Sequence, residues 1–537
     1  MVGHKRSFRL SSLRRLAAVV ATGGLLAGGL TGAAPASAST PVNVIVQGPS
    51  LALVQTLIST VGGHTINSLP VVDGVLAQVP SSAALNLLNA LGLVTSPDAP
   101  VAVDGLVGAL PASAPAAASA FPDSTGATKL AANGINGAGV GVAVLDTGID
   151  PLPDFGNRLL GGVDLSGAGN PLLDSYGHGT FVAGLIAGDG SSSGGAYPGE
   201  ATGANLVSIK VAGATGVTDV AKVIQGVAWA INNRVAYGIK VLNMSIGEVP
   251  TGPTQLNPLD EAVEAAWQAG ITVITSAGNS GPGQGTITSP GDDPDVVTVG
   301  ALDDTAVASG GATSVASFSS QGPTSANGWL KPDLVAAGRS VISLRAPGST
   351  IDQSYPSAEV GAANFVGSGT SFSAAITSGA AALVAQQNPT ATPDQIKARL
   401  LATATPGPTG NPSLDGHGDL DAYDAATAPS VALNQQRLLG IAIPTLPGVT
   451  IPLLSTWSVS SWNPANYSTN VTASAWNASA WNASAWNASA WNASAWNASA
   501  WNASAWNASA WNASSWNASA WNASAWNASA WNASTWS

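Results

Sequence analysis

The chain has 537 residues, a formal net charge of −12 and only 9% charged residues, and it contains no cysteine. A chain of this length can bury a large core, but the acidic balance and the lack of a basic patch exclude a nucleic-acid-binding role. Without disulfides, an exported protein of this kind depends on its core, on a pro-region or on bound ions.

Residues 1–38 have the pattern of a secretory signal peptide. Basic residues precede an apolar stretch from Leu16 to Leu30, and the small residues Ala36-Ser37-Ala38 offer a cleavage site. No later segment is a convincing membrane span, because prolines interrupt the apolar run of residues 438–454. The sequence therefore predicts a secreted protein.

Residues 39–108 alternate between strand and helix patterns. VNVIVQ from Val42 predicts a strand, LALVQTLISTVG a helix, HTINSLPVVDGVLAQV two paired strands and SAALNLLNALG a second helix. This alternation predicts a small α+β domain. An Ala-, Pro- and Ser-rich stretch follows, so residues 109–127 are predicted to be an accessible linker and the place of proteolytic maturation.

Four motifs follow in a fixed order: VAVLDTGID ending at Asp150, GHGTFVAG from Gly177, ITSAGNSG from Ile274 and GTSFSAA from Gly369. The apolar run before Asp146 predicts a buried strand that ends at this carboxylate, where ligand sites of open α/β sheets gather. A buried helix is predicted to begin at His178. Ser371 precedes a second small-residue helix pattern, which places its hydroxyl at the positive end of that helix.

The polar residues of these motifs are those that acyl transfer through an activated serine requires. His178 can accept the proton of the Ser371 hydroxyl, while Asp146 holds the imidazole tautomer and stabilises the imidazolium. The Asn279 amide, together with the backbone N–H of Ser371, can donate to the developing oxyanion. Each motif alone is typical of an ordinary turn, but their joint occurrence in this order favours a serine peptidase.

At these residues the chain resembles the subtilisin-like serine peptidase family, a resemblance that extends to VLNMSIG and KPDLVAAG. It implies a three-layer α/β sandwich with a mostly parallel sheet in a catalytic domain at residues 128–430. It also implies that residues 39–108 are a pro-domain that assists folding and acts as an intramolecular inhibitor. Related acid-acting serine-carboxyl peptidases have Glu and Asp in place of His178 and Asn279, which argues against that branch.

The resemblance further implies that protein or peptide substrates lie as strands beside two segments, Ser245-Ile246-Gly247 and Ser276-Ala277-Gly278. The small side chains of these segments predict an open, apolar primary pocket with no fixed charge.

Calcium is the one ion that the resemblance raises. Asp154 resembles a family calcium ligand, but residues 190–204 do not resemble the calcium-binding loop of secreted family members. The pairs Asp292-Asp293 and Asp303-Asp304 favour acidic surface turns over calcium sites. We therefore predict no required cofactor and no metal ligands, with calcium left open.

The carboxyl-terminal end has a composition of its own. Residues 438–537 contain no Asp, Glu, Lys, Arg or His, and from Trp476 a Trp recurs every five residues in the unit WNASA. We favour a low-complexity surface anchor whose Trp rings stack on sugars or other cell-wall components. A repeat solenoid and self-association through the aromatic repeats are the alternatives. Residues 431–475 are then an uncharged linker and residues 476–537 the repeat tail.

Two functions of different classes follow. The first is a secreted serine endopeptidase that is retained at the cell surface by its tail. The second is a surface adhesion or wall-binding protein with a silent peptidase domain. Self-cleavage that vanishes in Ser371→Ala distinguishes them, because only the first function needs a reactive serine.

Overall fold

The computed structural model describes residues 41–103, 121–250, 254–307 and 311–428, and seven strands between residues 457 and 536. The chain divides into two units, Met1–Leu433 and Asn434–Ser537, which are described separately. The predicted signal peptide and most of the two predicted linkers lie outside the described residues. Among the described helices, none is both long and apolar enough to cross a bilayer.

The chain begins with a small α+β domain. Its strands are β1 (Val42–Gln47), β2 (His64–Leu69), β3 (Gly74–Val79) and β4 (Val94–Pro97), and its helices are α1 (Leu51–Thr60) and α2 (Ser82–Ala90). The strands form an antiparallel sheet in the order β2-β3-β1-β4. Ser50 and Ser81 cap the two helices by accepting backbone N–H bonds. A core of small aliphatic side chains joins sheet and helices.

The larger domain contains the remaining elements of the first unit. Its helices are α3 (Phe121–Ser124), α4 (Ala127–Ala132), α5 (His178–Ala187), α6 (Val220–Asn233), α7 (Pro258–Gln268), α8 (Thr350–Ser354), α9 (Thr370–Gln387), α10 (Pro393–Thr403), α11 (Pro412–Asp415) and α12 (Ala422–Thr427). Its strands, together with the preceding β5 (Pro100–Val103), are β6 (Gly141–Asp146), β7 (Leu159–Asp164), β8 (Asn205–Lys210), β9 (Val217–Asp219), β10 (Ile239–Met244), β11 (Ile246–Gly247), β12 (Thr272–Ser276), β13 (Val297–Asp303), β14 (Ser314–Val315), β15 (Leu334–Ala337), β16 (Val341–Leu344), β17 (Glu359–Val360) and β18 (Asn364–Gly367).

A central sheet runs in the order β14-β13-β12-β10-β6-β8-β7, with β15 added beside β13. Its pairings are parallel except for that of β13 with the short β14. The inner strands β6 and β12 are fully buried and β10 is buried except at Lys240, as expected for a parallel sheet covered on both faces.

Helices cover both faces of this sheet. Gly179 of α5 lies against the Cβ of Asp146, whereas Gly226 of α6 lies against the side chain of Leu145. Because neighbouring residues of a strand point to opposite faces, α5 and α6 lie on opposite sides of β6. Helix α9 packs against α5, and α7 packs against α6. The predicted three-layer α/β sandwich is confirmed.

The second unit consists of parallel strands formed by the repeats. They are β19 (Trp457–Trp462), β20 (Val471–Ala488), β21 (Trp491–Ala508), β22 (Trp511–Ala518), β23 (Trp521–Ala523), β24 (Trp526–Ala528) and β25 (Trp531–Trp536). From β20 onward the paired residues are 20 positions apart, as Trp476 and Trp496 are.

This register corresponds to the solenoid alternative. A straight strand of 18 residues would span about 60 Å. Only residues 489 and 490 separate β20 from its parallel partner β21, too few for a crossover that returns over such a length. Each long strand must therefore turn within itself, and one coil contains four five-residue units. The role of the tail as a surface anchor stays a prediction.

Candidate active site

Asp146 and His178 form a buried pair at one end of the central sheet. Asp146 is the last residue of β6, and His178 is the first residue of α5. The imidazole Nδ1 lies 2.8 Å from Asp146 Oδ1 and 2.9 Å from Oδ2. Both side chains are 1% exposed. A carboxylate in this position fixes the Nδ1–H tautomer of the ring and leaves Nε2 as the basic nitrogen.

A second buried carboxylate, Asp174, holds the two segments that carry this pair. It accepts hydrogen bonds from the Thr147 hydroxyl at 2.7 Å and from the backbone N–H groups of Gly177 and Thr180 at 2.7 and 2.8 Å. The Thr147 hydroxyl in turn accepts from the N–H of Gly179. Asp174 thus ties the residue after Asp146 to the first turn of α5. Its own pKa is raised, chiefly by burial.

Ser371 lies in the first turn of α9, at the positive end of an 18-residue helix, and its side chain is buried. Its hydroxyl donates a hydrogen bond of 3.4 Å to the carbonyl oxygen of Ser245. The next residue, Phe372, packs against the His178 ring with centroids 5.7 Å apart. The Phe372 contact places the start of α9 beside the His178 ring.

Asn279 is held against the start of the same helix. Its amide oxygen accepts from the backbone N–H of Thr370 at 3.0 Å and from the Thr370 hydroxyl at 3.1 Å. This contact fixes the rotation of the amide group and directs its nitrogen away from Thr370. The side chain is therefore held beside the residue that precedes Ser371, where an amide donor could serve an oxyanion.

A strand from the amino-terminal region occupies the cleft beside these residues. β5 lies between β9 and β11 in a three-stranded antiparallel sheet. Val103 pairs with Ile246 and Ala102 with Gly247, while the Val103 N–H donates to the Gly216 carbonyl. The structure therefore places Ile246 and Gly247 in backbone contact with an extended peptide.

Two features of this cleft differ from the predicted strand-binding segments. The backbone of residues 276–278 pairs within the catalytic domain, since Ala277 N–H donates to Val299 and Gly278 N–H to the Thr370 hydroxyl. The second edge of the cleft is instead β9, residues 217–219. Sequence reasoning missed β9 because its three residues follow a Gly-rich turn and carry no reactive side chain.

A shallow pocket lies beside His178. Its apolar lining includes Phe181, Leu344, Phe365 and Phe372. Such a pocket can accept an apolar substrate side chain on the leaving-group side of the scissile bond.

Asp292 and Asp293 correct the sequence-based expectation of an acidic surface turn. They are 1% and 0% exposed, so that expectation is wrong. Burial raises the pKa of Asp292 to about 6 and that of Asp293 to about 7. Burial also raises the pKa of Glu248, the residue after Gly247, to about 7. The sequence predicts a primary pocket with no fixed charge. The structure has buried carboxyl groups near the cleft.

Asp154, which resembles a calcium ligand, is bound by the protein itself. Its carboxylate is 1% exposed and accepts hydrogen bonds from the backbone N–H and the hydroxyl of Ser192. Ser192 lies in the loop of residues 190–204, which does not resemble a calcium-binding loop. Asp154 is therefore hydrogen-bonded to a serine of this loop.

The fold and the site define the class of the domain. A serine at a helix start, a buried Asp–His pair and an oriented amide on a parallel α/β sandwich are the parts of a serine hydrolase. The model of the subtilase family matches residues 137–418, and the chain belongs to this family. Its catalytic domain is a subtilisin-like serine peptidase.

Individual relatives agree with this assignment. The chain is 44% identical over 296 residues to serine protease AprX of Bacillus subtilis (strain 168), a match that covers 54% of this chain and 67% of AprX. It is 36% identical over 294 residues to subtilisin Savinase of Lederbergia lenta, covering 55% of this chain and 93% of that protein.

Among solved structures, fervidolysin from Fervidobacterium pennivorans, a keratinolytic enzyme related to subtilisin, superposes with a TM-score of 0.59. The sequence identity is 22%, and the superposition covers 74% of this chain and 63% of fervidolysin. This likeness concerns the fold alone.

Proposed function

We propose that this protein is a secreted serine endopeptidase with Ser371 as its nucleophile. The buried Asp146–His178 pair carries this proposal, because an imidazole held by a carboxylate is the base that a serine hydroxyl needs. His178 accepts the hydroxyl proton as Ser371 Oγ bonds to the substrate carbonyl carbon. The Asn279 amide and the Ser371 N–H stabilise the oxyanion.

In each of the two half-reactions, His178 accepts one proton and gives it back. In the first, the C–N bond of the substrate breaks and His178 gives its proton to the leaving amine, which leaves an acyl group on Ser371. In the second, water attacks this ester while His178 accepts a proton. Collapse releases a carboxylic acid, and the proton returns to Ser371 Oγ. No cofactor takes part in either step.

The pro-domain is proposed to be both the inhibitor and the first substrate. β5 fills the strand position between β9 and β11, so another peptide cannot pair there at the same time. Further contacts anchor it, since Asp98 accepts from the Ala221 N–H at the start of α6 and Gln47 donates to Glu261. β5 ends at Val103, opposite Ile246, and the preceding Ser245 holds the Ser371 hydroxyl. This register favours a first cut close to residue 104, with the linker 109–127 open to later cuts.

The intact mass of the secreted chain tests this function. Wild type is expected to lose its amino-terminal region by cleavage within residues 104–127, and Ser371→Ala is expected to keep it. Mixing the two proteins shows whether each molecule cleaves itself. If it does, active wild type is expected to cleave added Ser371→Ala only slowly. Identical masses for both would contradict self-processing, and a peptide-hydrolysis assay would then decide between the peptidase and the adhesion alternative.

Secretion and surface retention are part of the proposal. The residues of the leader support export, and the aligned repeats of the tail support binding to a cell-wall component. Comparing cell-wall and medium fractions for the full chain and a chain ending at Ala428 tests retention. The full chain is expected in the wall fraction and the shorter chain in the medium.

A further inference from the structure

Lys210 is a buried lysine on the strand beside Asp146. It is the last residue of β8, where it pairs with Asp146, the last residue of β6. The residue is 0% exposed, although lysine is among the residue types that are least often buried. The peptidase mechanism gives its ammonium group no part, so the burial of this charge needs an explanation of its own.

The ammonium group of Lys210 is directed at a single peptide group. Its Nζ donates a hydrogen bond to the carbonyl oxygen of Leu173. The N–H of the same peptide group belongs to Asp174 and donates to Asp150 Oδ1 at 2.7 Å. Lys210 and Asp150, which we name the charged clamp, thus hold the two polar ends of one peptide. Hydrogen bonds with a charged partner are roughly twice as strong as neutral ones, so the clamp fixes the orientation of this peptide.

The turn that follows Asp146 packs against the charged clamp. A Cβ atom added to Gly148 would lie 3.3 Å from Lys210 Cδ and 2.6 Å from the Leu173 carbonyl oxygen. Burial raises the pKa of Asp150, and the Asp174 N–H and the charge of Lys210 both oppose this rise. The clamp therefore combines a close contact with the turn and an attraction between its two charges.

The clamped peptide leads directly to the residues that hold His178. The side chain of Asp174 accepts hydrogen bonds from the N–H groups of Gly177 and Thr180, at the start of α5. Asp174 thus begins at the clamped peptide and ends on the turn that carries the imidazole. Because of this connection, a rotation of the peptide would move the Asp174 carboxylate and shift His178 relative to Asp146.

We propose that Lys210 is a positioning residue of the peptidase reaction. Together with Asp150 it fixes the Leu173–Asp174 peptide. The orientation of this peptide in turn determines where His178 lies relative to Asp146. Lys210 acts at one remove, since its ammonium group contacts the backbone that precedes Asp174. This inference rests on the proposed peptidase function.

Steady-state hydrolysis of a peptide amide tests this role. In Lys210→Met, a side chain of similar length without a donor or a charge replaces the lysine. We expect kcat to fall by roughly 10-fold with little change in KM, because small displacements of a catalytic pair are costly to the rate. We also expect a changed pH profile of kcat/KM. Lys240→Met is the matched control, because this exposed lysine of β10 also donates to a backbone carbonyl, that of Pro389. Wild-type kinetics are expected for it.

Asp150→Ala is a second, independent variant. It removes the other half of the charged clamp, so kcat is expected to fall by a similar factor. Both side chains act on the same peptide, and effects of groups that share a partner are not additive. The double variant is therefore expected to lose about as much kcat as the more affected single variant, rather than the product of the two losses.

An unchanged kcat in Lys210→Met would overturn the proposal, as would losses that multiply in the double variant. A lower unfolding midpoint with wild-type kcat would assign Lys210 to stability alone. If Lys210→Met does not fold, Asp150→Ala takes its place, and wild-type kinetics in that variant would also overturn the clamp. A wild-type protein that hydrolyses no peptide would instead refute the peptidase function on which the role of Lys210 depends.

Discussion

Asp174 is expected to act on catalysis through the residues to which it is hydrogen-bonded. Its carboxylate joins Thr147, next to Asp146, to the first turn of α5, which carries His178. In Asp174→Asn, an amide replaces the carboxylate that accepts from these N–H groups. The NH2 group of the amide is a donor and cannot accept from them. We expect kcat to fall by about 10- to 100-fold with little change in KM, because small displacements of a catalytic pair are costly.

The pH profile of kcat/KM separates this positioning role from general destabilisation. A changed pH profile of kcat/KM is expected in Asp174→Asn together with the lower kcat. Asp189→Asn, at a more exposed aspartate, is the control and keeps wild-type kinetics. A normal kcat in Asp174→Asn would show that the Asp146–His178 geometry does not depend on Asp174.

Glu200 makes stability depend on pH. Its side chain is 3% exposed and lies against Gly379 of α9, and burial raises its pKa to about 8, an effect that the nearby Thr125 hydroxyl reduces. Between its unfolded value of 4.5 and about 8, the folded state binds the extra proton. The stability from this group is therefore complete below pH 4.5 and is lost as the pH rises through 8.

Glu200→Gln removes this dependence. Both proteins carry Ser371→Ala, and they differ only at residue 200. As the pH rises from 4.5 to about 8, the unfolding free energy of the protein that keeps Glu200 is expected to fall, relative to that of Glu200→Gln, by up to about 1.4 kcal/mol per pH unit. Denaturant unfolding at a series of pH values measures the difference. A difference that stays constant from pH 5 to 8 would be inconsistent with a protonated Glu200.

At the scale of elements, β5 is the strand on which the proposed inhibition depends. The Val103 N–H donates to Gly216, and a proline there removes this donor from a strand that is paired on both sides. Val103→Pro is expected to slow self-cleavage severalfold, in line with the loss of about 1 kcal/mol for one hydrogen bond. Gel densitometry against time measures the rate. Val103→Thr, which keeps the N–H, serves as the control, and equal rates for both variants would argue against the observed pairing.

The sequence patterns predicted the elements whose structure depends on residues adjacent in the chain. An apolar run ending in Asp146 and small-residue runs after His178 and Ser371 specify a buried strand and two buried helix starts, and the structure has all three. The burial of Asp292 and the use of β9 as a cleft edge depend on segments far apart in the chain. No local pattern carries that information, which is why the acidic pair was expected at the surface.

The repeat tail shows the same limit at the scale of the whole molecule. One WNASA unit considered alone gives neither a helix nor a strand with a single apolar face. Pairing at an offset of 20 residues instead aligns Trp with Trp and Asn with Asn in successive coils. The order of the tail therefore depends on repeat length being constant, rather than on the properties of any one unit.

Insertions in the tail test this dependence. One alanine inserted after Trp501 in β21 shifts every later residue out of register with β20, whereas a whole inserted WNASA unit restores the same residue types at every position. We expect the single insertion to reduce the strand signal in circular dichroism of a Ser371→Ala full chain and the five-residue insertion to preserve it. Because the peptidase residues lie in the other unit, peptide hydrolysis by the corresponding active chains is expected to be unchanged in both. Equal strand signals for the two insertions would show that the repeats do not stack with a period of four units.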